Sequence, residues 1–199
     1  MLAHFARRCF DTVTATDRFA LALLAGSLSL NVYLARNYRT DARGDASSVG
    51  VSAGMRLPPL VAKGLDGGPR AIRYDADGRT TVLYVFSPKC VWCTKNLANI
   101  KTLIAERRRE YHFIGVATSG TAEDLTAYLA REQLDFEVVR DVAPETKSAY
   151  RLSGTPQTIA IDRKGTVLRS WPGAYSGSAA TEIEQFFRIR LPGLADDDR

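Results

Sequence analysis

Residues 86–93 read FSPKCVWC and follow directly on an apolar run rich in β-branched residues, residues 81–86. Apolar residues at helical spacing come after the two cysteines, Cys90 and Cys93. The strand would fix the loop in space. The first helical turn would direct unpaired N–H groups and the positive end of its dipole at Cys90. This order predicts a redox dithiol in which Cys90 is the reactive thiolate.

Composition leaves few other uses for the cysteine pair. The chain has three cysteines and two histidines, whereas a structural zinc site needs four ligands. Cys9 and His4 fall in an N-terminal leader, so we predict no metal and no cofactor, and we assign Cys9 no role. Chain length and the low cysteine count exclude a disulfide-stapled small fold. An inert buried pair is the alternative, although strand-to-helix loops are more often exposed.

Size and charge limit the classes of partner. A chain of 199 residues with 45% apolar content supports one packed domain with appendages. The net charge of +5 comes from scattered residues, and residues 107–109 place three arginines where a predicted helix ends. Because no basic stripe is interleaved with aromatic residues, we predict no nucleic-acid partner. Residues 191–199, which include three aspartates in a row, are expected to form an acidic tail.

The N-terminal region carries a second informative pattern. Residues 19–35 are uncharged and lie between Arg18 and Arg36, which predicts a single-span membrane anchor preceded by a basic leader, residues 1–18. A cleaved signal peptide and a soluble segment are alternatives, although no good small-x-small cleavage site follows. Basic residues are balanced on the two sides, so charge does not set the orientation. Residues 36–54, rich in Gly, Ser, Ala and Asp, predict a flexible linker.

Residues 55–190 predict an α/β domain with a mixed sheet and helices on both faces. The expected strands are residues 71–74, 80–86, 111–117, 136–140, 158–161 and 166–171. The expected helices run from the cysteine pair to about residue 108 and over residues 121–132, 144–150 and 178–189.

A second motif, SGTPQ at residues 153–157, precedes the predicted strand at residues 158–161. By itself it could be an ordinary turn. Taken with the upstream cysteine pair, it resembles the cis-proline loop of the thioredoxin superfamily. That resemblance implies a loop facing the dithiol, a cis bond before Pro156, and a backbone at Thr155 that pairs with a substrate peptide as a short antiparallel strand.

The resemblance runs in order through residues 55–190. It covers the LPPL segment at 57–60, the cysteine pair at 90–93, the loop at 154–156 and the DRKG turn at 162–165. With the anchor, the chain resembles the membrane-tethered extracytoplasmic thiol–disulfide oxidoreductases of bacteria, the TlpA/ResA/CcmG-type branch. This implies a thioredoxin-like domain on the periplasmic side, protein thiol or disulfide substrates, a membrane redox donor, and work in cytochrome c maturation or related thiol reduction.

The same resemblance implies a role for each site residue. Cys90 attacks a substrate disulfide and Cys93 resolves the resulting mixed disulfide. Trp92 shapes the docking surface, while Thr155 and Pro156 hold the substrate strand. Reduction of substrates is the favoured direction, which sequence alone does not determine.

The chain departs from the family pattern around the second cysteine. Many members have Glu where this chain has Asn96, and thioredoxin has a buried Asp where this chain has Tyr84. We therefore predict no buried carboxylate to take the proton of Cys93. Lys89 and Lys95 flank the pair and are expected to favour the attacking thiolate.

Two other functions are open at this point. A peroxidase of the peroxiredoxin type needs a Ser or Thr three residues before its reactive cysteine, which Ser87 satisfies, and an upstream Pro, whereas Pro88 follows Ser87. A non-catalytic thioredoxin-like binding or assembly module would explain the missing carboxylates at Tyr84 and Asn96. Peroxide consumption and the effect of replacing Cys90 would separate these hypotheses.

Overall fold

The computed structural model of the protein describes residues 23–33 and 50–195. The chain separates into two units, Met1–Ser47 and Ser48–Arg199. In the first unit, residues 23–33 form helix α1, whose leucine side chains are exposed. Across the described ranges, no helix combines the length and the apolar character needed to cross a bilayer. The predicted leader and both ends of the predicted anchor lie outside the described residues.

The second unit contains a seven-stranded mixed sheet with the order β2-β1-β5-β4-β3-β6-β7. β3 pairs in parallel with β4, and β4 with β5, while the other neighbours are antiparallel. The strands are β1 (Leu60–Gly64), β2 (Pro69–Ile72), β3 (Thr80–Phe86), β4 (Tyr111–Ala117), β5 (Glu137–Arg140), β6 (Gln157–Ile161) and β7 (Val167–Pro172). The helices are α2 (Val91–Lys95), α3 (Leu97–Arg107), α4 (Ala122–Arg131), α5 (Pro144–Ala149) and α6 (Gly177–Phe187).

The central strand β3 separates two apolar layers. Successive side chains of a strand point to opposite faces. Val82, Tyr84 and Phe86 therefore pack in one core with residues of α3, α4 and α6. Leu83 and Val85 pack in a second core with Tyr150, which follows α5, and with the segment before β1. This arrangement confirms the predicted thioredoxin-like α/β sheet with helices on both faces.

Two elements differ from the sequence prediction. Strand β1, which begins at the last residue of the LPPL segment, was not among the predicted strands. The helix after the cysteines is interrupted at Asn96, which ends α2 and begins α3. The Asn96 side chain accepts the backbone N–H of Tyr175 at 3.1 Å, so it serves a distant segment at the point where the helix breaks.

The ordered domain begins before the predicted boundary at residue 55. Val51 is buried in the second core, and the N–H of Gly54 donates to the carbonyl of Val167 at 2.8 Å. The end of the predicted linker, residues 50–54, is thus part of the domain, because one apolar residue and a backbone hydrogen bond tie it to β7.

The domain also extends beyond residue 190. The N–H of Gly193 donates to Oδ1 of Asn99 at 2.9 Å, and the N–H of Ala195 donates to the carbonyl of Lys95 at 3.0 Å. Residues 191–195 of the predicted tail are therefore bonded along α2 and α3. The aspartates of that tail lie outside the described residues.

Candidate active site

Cys90 occupies the N-cap position of α2, directly after the loop that leaves β3. Its side chain is half-buried, and its Sγ accepts the backbone N–H of Cys93 at 3.1 Å. A sulfur in this position receives one of the N–H groups that have no partner within the helix. Cys90 therefore lies at the start of a helix, where the sequence pattern placed it, with an N–H group directed at its sulfur.

Cys93 lies behind Cys90 and is fully buried. Burial first, and then the hydrogen bond with Cys90, raise the pKa of the Cys93 thiol to about 12, against opposing contributions from Ser87 and Thr155. Both thiols are free. The two cysteines are thus unequal: one sulfur is reachable and hydrogen-bonded by an N–H group, and the other is enclosed and holds its proton.

The proline loop lies opposite this pair. The Thr155–Pro156 bond is cis, as the resemblance implied. The thiol of Cys90 donates to the carbonyl of Thr155 at 3.4 Å. β6 runs antiparallel to β3 with Gln157 opposite Val85, so the loop before β6 meets the end of β3. The structure therefore brings the two cysteines and the predicted substrate loop together.

An apolar surface surrounds the half-buried thiol. Val91 and Trp92 are 67% and 54% exposed, high values for side chains of this kind. The Nζ of Lys95 lies 4.9 Å from the centre of the Trp92 ring, a cation–π geometry. Exposed aromatic groups beside a reactive group are typical of sites that bind another protein.

Tyr84 and Asn96 occupy the two positions at which the family pattern has a carboxylate and this chain has none. Both are buried, and Tyr84 lies in the same core as Cys93. Burial raises the pKa of the Tyr84 phenol well above its usual value, and the nearby Cys93 sulfur adds to the rise. Cys93 likewise raises the pKa of Tyr128, after the larger effect of burial. Two buried phenol groups therefore lie near Cys93.

Sequence reasoning missed a buried amide pair on α3. Asn99 is fully buried, and its Nδ2 donates to Oδ1 of Asn96 at 2.9 Å. The available signal was the spacing of three residues, which places both amides on the apolar side of a helix that also buries Ile100 and Leu103. Their partners, Tyr175 and Gly193, follow much later in the sequence and carried no local signal.

No cluster of three or more possible metal ligands occurs within residues 23–33 and 50–195. The site described here is thus made of two thiols, one carbonyl and neutral buried polar groups. Such a set can exchange disulfides without any further group.

The family follows from comparison of sequences. Residues 53–170 match the model of the AhpC/TSA family. The chain belongs to the AhpC/TSA family. No curated protein sequence matches it significantly.

Solved structures share the fold of this AhpC/TSA family member. An inferred thiol:disulfide interchange protein DsbE from Chlorobium tepidum matches with a TM-score of 0.58 and 21% identity, covering 69% of this chain and 97% of that chain. The thioredoxin domain of a thiol-disulfide oxidoreductase from Bacteroides vulgatus gives 0.56 and 19%, with coverages of 69% and 99%. A secreted Mycobacterium tuberculosis disulfide oxidoreductase homologous to Escherichia coli DsbE gives 0.52 and 18%, with coverages of 64% and 93%. At these identities the likeness establishes the fold.

In this AhpC/TSA family member, Ser87, the serine on which the peroxidase hypothesis depends, contacts Ser119 and Lys89. Ser87 Oγ lies 2.8 Å from Ser119 Oγ and accepts the N–H of Lys89 at 3.2 Å. These contacts join the loop before Cys90 to the loop before α4. The Ser87 hydroxyl thus has a structural use that does not involve the sulfur.

Proposed function

We propose that the protein is a thiol–disulfide oxidoreductase that reduces disulfide bonds of other proteins by dithiol exchange. The asymmetry of its two thiols carries the proposal. Cys90 is half-buried and accepts an N–H from the first helical turn, whereas Cys93 is fully enclosed. Disulfide exchange needs one accessible nucleophile and one resolving thiol that reacts only within the same protein.

In the first step, the Cys90 thiolate attacks one sulfur of a substrate disulfide. A bond forms between Cys90 and that sulfur, and the other substrate sulfur leaves as a thiolate. The N–H of Cys93, 3.1 Å from Sγ of Cys90, stabilises the attacking charge. The Cys90 proton, which is directed at the Thr155 carbonyl in the resting protein, goes to solvent.

In the second step, the sulfur of Cys93 attacks Cys90 and displaces the remaining substrate sulfur. The substrate gains two electrons and two protons in total, and the protein is left with a Cys90–Cys93 disulfide. A dithiol donor then restores both thiols by the reverse exchange. The resemblance to membrane-tethered proteins suggests a membrane redox protein as this donor.

The surface around Cys90 suits a protein substrate. The backbone carbonyl of Thr155 lies beside the sulfur, so a peptide pairing with residues 154–156 would bring its disulfide to Cys90. Trp92 and Val91 add exposed apolar area on the other side of the thiol. In this proposal Thr155 and Pro156 hold the substrate strand, and Trp92 packs against the side chains beside its disulfide.

The proposed location is extracytoplasmic, on a single membrane anchor. Its support is the uncharged stretch at residues 19–35, with basic residues before and after it. On this proposal residues 36–49 link the anchor to the domain, which acts on the periplasmic side. Work in cytochrome c maturation is the finer proposal, since that process requires the reduction of disulfides outside the cytoplasm.

The direct test is reduction of a protein disulfide, such as those of insulin, by the full chain with dithiothreitol as donor. Wild type should accelerate the reaction, and Cys9→Ser should match it. Cys90→Ser should lose the acceleration. If Cys90→Ser were as active as wild type, the proposal would be wrong and the binding-module hypothesis would take its place. Consumption of hydrogen peroxide at a comparable rate would instead favour the peroxidase hypothesis.

A further inference from the structure

Residues 50–55, called here the lead-in segment, precede the first strand and are held against the domain. The N–H of Gly54 donates to the carbonyl of Val167 at 2.8 Å, which ties the second half of the segment to β7. In the first half, Val51 is buried in the second core and Gly50 is buried beside it. The lead-in segment is therefore part of the packed domain at both of its ends.

Gly50 contacts both ends of the loop that leads into β6. This loop, residues 151–157, is called the substrate loop because it contains the residues proposed to hold the substrate strand. At its start, Nη1 of Arg151 donates to the carbonyl of Gly50 at 3.5 Å. At its end, the side-chain amide of Gln157 packs on Gly50 so closely that a Cβ at position 50 would lie 2.4 Å from Nε2. Gly50 thus bridges the two ends of the substrate loop.

Two features of position 50 require glycine. Its φ of +106° lies in the region that other residues rarely adopt. The space that a Cβ would need is already filled by the amide of Gln157. That side chain is only 2% exposed, so the amide has no open solvent into which it could move. A side chain at position 50 would therefore have to displace the buried end of the substrate loop.

The middle of the substrate loop has little packing of its own. Residues 153–154 are exposed, and no described atom would lie within 4 Å of a Cβ at Gly154. The position of the loop therefore depends on its ends, and Gln157 is only two residues from Thr155. The carbonyl of Thr155 accepts the thiol of Cys90 at 3.4 Å, so a shift of the loop end changes the distance between the substrate strand and the sulfur.

We propose that Gly50 and Gln157 are positioning residues, through which the lead-in segment holds the substrate loop where a peptide can pair with it beside Cys90. The inference rests on the proposed function and adds that peptide capture depends on the segment by which the chain enters the domain. A peptide disulfide needs the loop, because its main chain pairs with residues 154–156. A small disulfide without a peptide main chain reaches Cys90 without such pairing, so the two kinds of substrate should respond differently.

The test compares two disulfides on the full chain in a Cys9→Ser background. One is a peptide with a single disulfide, followed at steady state with dithiothreitol as donor. The other is the small aromatic disulfide DTNB, mixed with the reduced protein in a stopped-flow instrument. If the unsubstituted chain reduced neither disulfide, the proposed function would be overturned, and this inference with it. If it reduces both, the variants below test the inference alone.

Gly50→Ala should lower kcat/KM for the peptide about fivefold, the size expected when one main-chain hydrogen bond is misaligned. The loss should arise through KM, while kcat and the rate constant with DTNB stay within about twofold. Gly54→Ala is the matched control. Gly54 also has a positive φ, +86°, but no described atom would lie within 4 Å of its Cβ. An unchanged KM in Gly50→Ala, an equal rise in Gly54→Ala, or an equal loss with DTNB would overturn the inference.

Gln157→Ala removes the amide that packs on Gly50. By itself it should lower kcat/KM for the peptide to a similar extent and leave the reaction with DTNB within about twofold. Combined with Gly50→Ala it should cause no further loss, because the added Cβ then has room. If the two losses multiplied in the double variant, the residues would act independently and the inference would be wrong.

Discussion

Buried tyrosines lie on both faces of the sheet, and the hydroxyl of Tyr84 on one face is paired differently from those of Tyr74 and Tyr150 on the other. On one face, the hydroxyls of Tyr74 and Tyr150 bond to each other, and Tyr150 also donates to the carbonyl of Pro58. On the other face, in the core that contains Cys93, the Tyr84 hydroxyl makes no hydrogen bond of good geometry to the described groups, although the nearby Asn96 amide lowers its pKa. Burial is nearly equal, with Tyr74 at 6% exposure and Tyr84 at 4%.

This difference in hydrogen bonding distinguishes the face of the sheet that links segments of the fold from the face that contains the reactive cysteines. Paired hydroxyls hold the segment before β1 against the end of α5, which stabilises the fold. A hydroxyl without such a bond gives no comparable benefit. The Tyr74 face thus ties segments of the domain together, and the Tyr84 face contains the buried Cys93.

The largest expected effect comes from Cys93→Ser. Without the resolving thiol, the protein should stop after the first step and retain a stable mixed disulfide between Cys90 and its substrate. Mass spectrometry of the intact chain after incubation with a peptide disulfide should show one adduct, which wild type does not accumulate. Release of the peptide at the wild-type rate would show that Cys93 does not resolve the adduct.

High pH should lower the folding stability of the domain through buried groups on both faces of the sheet. The folded protein raises the pKa of Cys93 from 9.0 to about 12 and that of Tyr150 from 10.0 to about 12, in each case mainly through burial. Both groups therefore keep their protons longer when folded, so stability should be full below about pH 9 and fall as pH rises toward 12. Urea unfolding at a series of pH values measures this. The loss should be smaller in Cys93→Ala, and equal losses in the two proteins would argue against an enclosed Cys93 thiol.

Tyr150→Phe should destabilise the protein by about 2 kcal/mol, because two hydrogen bonds are lost and the Pro58 carbonyl is left unpaired. Urea unfolding gives the stability change. The rate of insulin reduction should stay as in wild type, since Tyr150 and Cys93 lie in different cores on opposite faces. A slower reduction of insulin by this variant would remove the distinction between the two faces.

The smallest expected effect on stability is that of Tyr84→Phe. Removing a hydroxyl that has no partner should change the free energy of unfolding by less than about 0.5 kcal/mol, or raise it. Unfolding in urea, compared with Tyr150→Phe, checks this. A loss as large as that of Tyr150→Phe would mean that the Tyr84 hydroxyl is paired in the resting protein.

Local sequence predicted the parts of the site that local structure determines. The run before Cys90 is a buried strand, Cys90 caps a helix, and the bond before Pro156 is cis, as the motifs indicated. The sequence also showed that Tyr84 and Asn96 stand where the family pattern has carboxylates. The contacts of Asn96 were not visible, because its amide is held by Asn99, and Asn99 in turn accepts from Gly193, 94 residues further along the chain.

The fold showed the same limit. β4 lies at residues 111–117, as its apolar run predicted. β1 was missed because its pattern of buried and exposed residues depends on its neighbours in the sheet. Alternate residues are buried where β1 lies between β2 and β5, while Val61 and Lys63 are exposed. The helix break at Asn96 depends on a bond to Tyr175, which no local propensity encodes.

The central claim is that Cys90 and Cys93 form a reversible dithiol poised to reduce substrates. Its most direct test is the equilibrium reduction potential of the full chain with Cys9→Ser, titrated with a thiol/disulfide buffer and followed by alkylation and mass spectrometry. We predict a single two-electron transition at or below about −250 mV, in the range of thioredoxin. A potential near about −120 mV would make the protein an oxidant. The absence of any reversible transition would contradict the account altogether.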